Sequence, residues 1–228
     1  MTPLQSRMID AALPHVVFDG WSPETFRQAT KDAEVTPAQA RAAFPRGAID
    51  LALAFHRRND AEMVDRLRDA DLSAMRFRDR IARAVRVRLE IAGEQKEAVR
   101  RGVTLMSLPI HAADGTRALW STADAIWTAL GDTSRDVNWY TKRATLAGVY
   151  SSTLLYWLGD KSEDHRQSWG FLDRRIDDVM QIEKVKARVR DNPVLSRLMA
   201  GPNLILSRIR APARSPRTDM PGRWDDSN

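Results

Sequence analysis

Residues Asp136–Trp157, DVNWYTKRATLAGVYSSTLLYW, decide how this chain folds. Asp136 stands just ahead of a long run without proline, where a side-chain acceptor caps the orphan N–H groups of a helix start. Trp139, Leu146, Val149, Tyr150, Thr153, Leu154 and Trp157 then recur at helical spacing. The opposite side, which includes Lys142 and Arg143, is polar. The stretch predicts a helix that buries one face in its own domain and leaves Trp139 and Tyr140 in its first turn, beside a loop. Aromatic side chains placed there suit two uses, filling a core or anchoring a partner protein, and periodicity alone favours the core.

Working outward, the same helical grammar covers the rest of the chain. Towards the N-terminus, Asp114 is expected to cap a helix through Leu130, and Gln95 to Leu108 forms the helix before it, closed by Pro109. Leu72 to Leu89 reads as a basic amphipathic helix. Met75, Ile81, Val85 and Leu89 oppose Arg76, Arg78, Arg80, Arg83, Arg86 and Arg88, and the arginines are expected to form a solvated face. A long helix begins after the Pro45-Arg46-Gly47 turn. Ahead of it, Ser22-Pro23 and Thr36-Pro37 each place a capping hydroxyl before a proline at the first helical position. Pro3 to Phe18 is a further helix with Gly20 as its stop. Beyond Trp157, a polar loop at 159–164 precedes a helix carrying Trp169, Leu172, Ile176, Val179 and Met180. No alternating strand pattern appears. The expected fold is all-α, about ten helices: residues 1–70 form a first subregion, 71–190 a second, 191–211 an amphipathic segment, and 212–228 a disordered tail.

Composition narrows the function. The chain has 228 residues, a net charge of +6, four histidines and no cysteine. Without cysteine there is no disulfide framework, thiolate metal site or Cys nucleophile. His15, His56, His111 and His165 show no metal-ligand spacing, so no metal site of the chain's own is expected. Asp177-Asp178 are neighbours that a helix points apart. Glu62/Asp65 and Asp173/Asp177 lack the Glu-x-x-His partner of a di-iron bundle. No catalytic residue is therefore assigned, and the carboxylates read as solvated. No apolar run reaches the roughly 20 residues of a membrane span, and no signal peptide is expected, because Met1 leads almost at once into a helix.

The N-terminal features Gly20-Trp21, Ala29, Ala33, Val35-Thr36 and Phe44-Pro45 resemble the helix-turn-helix end of TetR-type regulators. Residues 1–50 nevertheless hold five Lys or Arg against six Asp or Glu, and Arg41 is the only cation between Thr36 and Phe44. Such a region lacks the electrostatic footprint of DNA binding, so nucleic acid is not an expected partner. A TetR-type regulator with a small-molecule pocket is the alternative function. Positive charge gathers instead at Lys184 to Arg217, where nine Lys or Arg face Asp191 alone, a pattern suited to an anionic membrane surface.

Asp136-Val137-Asn138-Trp139-Tyr140-Thr141-Lys142-Arg143, Tyr150-Ser151-Ser152-Thr153, and Trp169-Gly170-Phe171-Leu172-Asp173-Arg174-Arg175-Ile176-Asp177-Asp178-Val179-Met180 together resemble the motifs of a ubiquinone-biosynthesis family, the ninth of the coenzyme Q proteins. The resemblance is best over residues 102–180. It implies a non-enzymatic, lipid-binding helical protein with a TetR-like fold, a homodimer, that assists the demethoxyubiquinone hydroxylase. It implies no cofactor, only an isoprenoid quinone precursor or other lipid as ligand. Leu105, Met106 and Trp120 are then the expected lining of a lipid cavity, joined by Ala123, Ile126, Leu146 and Tyr150. Asp136, Trp139 and Tyr140, with Trp127, are the expected hydroxylase contact. Leu195, Leu198, Met199, Leu206 and Ile209, with Arg197 and Arg208, match the family's membrane-binding helix, which Gly201-Pro202 should kink. The implied location is the inner membrane surface, cytoplasmic in a bacterium or on the matrix side in a mitochondrion.

Overall fold

Thr2, Ser22, Thr36 and Asp136 each turn a side-chain oxygen onto a backbone N–H two or three residues ahead, and each opens a helix. Thr2 and Thr36 complete reciprocal capping boxes with Gln5 and Gln39. The computed structural model describes residues 1–191 and 210–212. It comprises α1 (Pro3–Asp19), α2 (Pro23–Asp32), α3 (Pro37–Ala43), α4 (Ala48–Asp69), α5 (Phe77–Gly93), α6 (Lys96–Met106), α7 (Ala112–Ala129), α8 (Val137–Gly159) and α9 (Arg166–Asp191), with short 3-10 turns at Pro109–His111 and Glu163–His165. Among the described residues there is no strand, and the all-α expectation holds. The amphipathic membrane segment and the terminal tail lie outside the described residues, apart from 210–212.

Two buried clusters meet across α4 and α6. The first joins α1, α2, α3 and the start of α4 around Met8, Val16, Trp21, Phe44 and Leu51. The second joins α5, α7, α8 and α9 around Leu89, Ile126, Tyr150, Trp157 and Leu172, and Val99 of α6 packs against both. The left-handed Gly20 (φ 65°) turns the chain out of α1, a conformation that favours glycine. Gly115 lets α7 approach the end of α6, since a Cβ there would lie 3.1 Å from the Met106 Cβ and carbonyl oxygen.

Several expectations are corrected. The basic helix begins at Phe77, not Leu72, and residues 72–76 lie ahead of it around a turn at 73–74. Its arginines are not one solvated face. Arg78 and Arg86 reach across to Asp177 and Asp173 of α9, and Arg88 is 2% exposed. Arg88 falls in register with the buried positions Ala84, Val85 and Ala92, so the helix turns it inward. Asp114 does not cap α7, which starts at Ala112. It is a buried acid in the first turn, paired with Arg46 and Arg117. The carboxylates as a class are not all solvated either: Asp60, Asp114 and Asp160 are buried. Asp160 accepts from the backbone of Ser162 and Ser168 and from the Ser168 hydroxyl, which fixes the turn between α8 and α9.

Arg88 survives burial because Asp60 of α4 accepts from its Nε at 2.6 Å. Burial works against the charge on Asp60, but His56 and Arg88 outweigh it and hold the carboxyl below the usual carboxylate range. Replacing one member strands the other in a low-dielectric site. Arg88→Met is expected to cost roughly 3–5 kcal/mol in urea unfolding, and the Asp60→Leu/Arg88→Met pair to recover most of that loss. Equal destabilisation by the single and double changes would contradict this account of α4–α5 pairing.

Candidate functional site

Arg143 lies on the buried stripe of α8, one helical step before Leu146 and two before Tyr150. The expectation that it belongs to a polar, solvent-facing side is corrected: its side chain is fully buried. Its Nε donates to Asp124 of α7 at 2.5 Å, and its Nη1 donates to Asp132 of the α7–α8 loop at 3.0 Å and to the Trp139 carbonyl at 3.1 Å. The guanidinium sits 4.0 Å from the centre of the Trp139 ring. Lys142 stays at the edge, donating to Asp132 and Ser134, with its ammonium over the Trp127 ring. Burial opposes the charge on Asp132, yet hydrogen bonds from Lys142, Ser134 and Arg143 prevail and hold its carboxyl well below the usual carboxylate range.

Above this ionic base lies an aromatic cluster. Trp139 and Tyr140 meet edge to face at 4.8 Å, and Trp120 of α7 packs beside both, at 5.8 and 6.3 Å. All three are half-buried, so each offers ring area to a partner while being held by its neighbours. Asp136 accepts from the Asn138 backbone N–H and side-chain amide, which fixes the first turn beneath them. Ala211 N–H donates to the Arg135 carbonyl, and the Tyr140 hydroxyl donates to the Arg210 carbonyl, so residues 210–212 run along the same edge. The residues named for partner contact thus separate. Asp136, Trp139 and Tyr140 share one surface, joined by Trp120. Trp127 is 8% exposed and packs against Phe77, where it forms part of a second groove with Leu146, Ile176 and Val179.

A cavity of about 280 Å³ opens between α4, α6, α7 and α8, with Arg88 of α5 at its floor. Phe55, Val99, Val103, Met106, Leu119 and Leu154 supply apolar walls, and Trp21 closes the N-terminal side. Of the expected lining residues, Met106 and Tyr150 face it. Leu105 packs instead against Ile49, Leu53 and Ala118, Trp120 joins the aromatic cluster, Ala123 and Ile126 sit fully buried in the core, and Leu146 lines the second groove. Its rim includes the exposed Ser107, Ala112, Thr116 and Leu155, and the next residues along the chain, Leu108 and Ile110, are 45% and 79% exposed. The floor is polar: His56, Asn59, Arg88 and Tyr150. Of these, sequence reasoning singled out Tyr150 alone as a lining residue. The signal for His56 and Asn59 was their i, i+3, i+4 spacing with Asp60, in register with the buried apolar positions Ala52, Met63 and Leu67 of α4. Among the described residues, no three His, Asp or Glu side chains gather as metal ligands, and no helix is long and apolar enough to cross a membrane.

Asp132→Asn should loosen the base of the aromatic cluster. A carboxyl whose folded pKa is depressed adds stability that is complete above its unfolded value of about 4 and is lost as pH falls through the lower folded value. The melting temperature of Asp132→Asn is therefore expected to lie below wild type at pH 7, with the gap narrowing only below about pH 4. A gap that stays constant from pH 7 to pH 2 would contradict the assignment.

Residues 112–183, which carry Trp120, Asp136, Trp139, Tyr140, Arg143 and Tyr150, match the COQ9 family model. The Drosophila melanogaster "Ubiquinone biosynthesis protein COQ9, mitochondrial" is 31% identical over 184 residues, 79% of this chain and 56% of that protein. The Rattus norvegicus protein of the same name is 31% identical over 82% of this chain and 62% of its own length. The human one is 29% identical over 82% and 61%. The chain thus spans between 56% and 62% of these relatives. In fold it is similar to a TetR transcriptional regulator from Nitrosomonas europaea, with a TM-score of 0.63 at 19% identity, covering 77% of this chain and 97% of that one. With the aromatic cluster, its ionic base and part of the cavity wall all inside the matched region, the chain is a relative of the COQ9 ubiquinone biosynthesis proteins, built on a TetR-like all-α fold.

Proposed function

We propose that this chain is a non-enzymatic accessory protein of ubiquinone biosynthesis. It takes a quinone precursor from the membrane into the cavity and presents it to the demethoxyubiquinone hydroxylase through the Trp139-Tyr140 surface. The observation that carries this reading is the placement of cavity and aromatic cluster on the same two helices. Leu119 and Trp120 are consecutive on α7, and the first lines the cavity while the second completes the cluster. On α8, Tyr150 lines the cavity and Trp139, about three turns earlier, belongs to the cluster. A lipid held in the cavity would thus rest against the same two helices that carry a surface of hot-spot composition.

Leu108 and Ile110 form an apolar lip beside the rim, where an isoprenoid tail could pass to a bilayer. At about 280 Å³ the cavity is at the small end of ligand sites, suited to a ring and the first part of its tail rather than a whole polyprenyl chain. The basic, apolar sequence at 193–210 supplies the membrane attachment in this reading. The protein would act at the inner membrane surface and as a homodimer, which light scattering of the purified chain reads directly. The regulator alternative gains no support from Arg41, the single cation of α3, whose guanidinium leans over the Phe26 ring.

Two outcomes test the proposal. Trp139→Ala is expected to abolish co-purification with the hydroxylase and to lead to accumulation of demethoxyubiquinone in cells. Because Asp124 and Asp132 hold Arg143 independently of that ring, the helical circular dichroism should persist. Retained co-purification would exclude this surface. In liposome flotation, the full-length chain should rise with anionic vesicles and release as salt increases, whereas a chain ending at Asp191 should stay at the bottom. Equal flotation of both would exclude residues 192–228 as the anchor.

A further inference from the structure

The cavity floor is unusual in what it leaves unpaired. Asn59 is 3% exposed, faces the cavity, and its Nδ2 has no hydrogen-bond partner. A buried donor in that state carries a desolvation penalty that a bound acceptor removes. The charged groups around it are, by contrast, mutually satisfied. Arg88 donates Nε–H to Asp60, and its Nη2 lies 3.3 Å from both the carbonyl oxygen and Nδ1 of His56. Nδ1 therefore accepts, which leaves the His56 ring proton on Nε2, 2.8 Å from the Thr122 hydroxyl. That hydroxyl in turn donates to Asp60. One positive and one negative side chain thus cancel within a closed circuit, and the Arg88 guanidinium is further covered by the Tyr150 ring at 5.9 Å.

An anionic head would have to break this circuit to win Arg88 from Asp60. A neutral acceptor would need only the Asn59 amide. Resting on the lipid-carrier reading above, we propose that Asn59 is the head-group reader of the cavity, donating a hydrogen bond to an uncharged oxygen of a lipid whose apolar remainder lies along Phe55, Val103, Met106 and Leu119. The Arg88–Asp60 pair then serves selectivity, because its self-compensation withholds the cation that a carboxylate or phosphate would seek. The same acceptor chemistry is offered by the ring carbonyl of a quinone and by the ester carbonyl of an acyl lipid.

Titration calorimetry on the full-length chain separates the possibilities. The probes are ubiquinone with two isoprene units, a prenylated toluene with the same tail but no oxygen, monoolein, and decanoate. Wild type is expected to bind the quinone about tenfold more tightly than the prenylated toluene, the size of effect one recovered hydrogen bond supplies. Asn59→Leu should erase that difference while leaving the affinity for the prenylated toluene unchanged. A larger Asn59 effect on monoolein than on the quinone would keep the neutral acceptor and assign it to an acyl ester. Decanoate binding as tightly as the quinone, or a preference for the quinone that survives in Asn59→Leu, would overturn the proposal. Should Asn59→Leu fail to fold, the wild-type comparison of quinone with prenylated toluene decides, and equal affinities would overturn it. Binding of neither of those two by wild type would instead sink the carrier reading itself, and this inference with it.

Discussion

A fully buried guanidinium needs its charge answered nearby, and for Arg143 the answer comes from two directions: Asp124 on α7 and Asp132 on the loop between α7 and α8. That requirement fixes the register of the two helices, because shifting either by a residue would strand a charge in the interior. The Trp139 ring lies over the guanidinium, and the Trp139 carbonyl accepts from it, so the first turn of α8 is tied to the same point. Both the aromatic surface and the α7–α8 wall of the cavity inherit their geometry from this one ionic joint.

The second buried pair, Arg88 with Asp60, does the corresponding work between α4 and α5. The two pairs sit at different levels of the bundle. One backs a surface that faces outward, and the other underlies a cavity floor that faces inward. Small-molecule sites of helical bundles lie between the helices. Here that space is lined by five helices, α4 to α8, drawn from both buried clusters, so Phe55 and Trp21 of the N-terminal half meet Leu119 and Leu154 of the C-terminal half across it.

Much of the helical architecture was legible in the sequence, because the start signals are local. Ser22-Pro23, Thr36-Pro37 and Asp136 act through atoms two or three residues away, and the helices open where those residues stand. The motif from Asp136 to Tyr140 was equally legible, and its residues do share one surface. What local reasoning lost was the destination of charged side chains. Arg88 and Arg143 both fall in register with apolar stripes, yet residue type argued for solvent, and only long-range partners at Asp60, Asp124 and Asp132 make their burial affordable. The cavity was hidden for a related reason. A lined space and a packed core have the same periodicity, so Met106 and Tyr150 could not be told from Ala123 and Ile126 until the helices were placed.

The central claim is that the cavity carries a quinone-type lipid, and its most direct measurement is the lipid content of the purified full-length chain. Protein isolated from a ubiquinone-producing cell is extracted with organic solvent, and the extract is quantified by mass spectrometry against protein concentration. The account predicts polyprenylated quinone intermediates enriched far above their share of the membrane, approaching one per chain. Lipid-free protein, or phospholipid present only in the proportions of the bulk membrane, would contradict it.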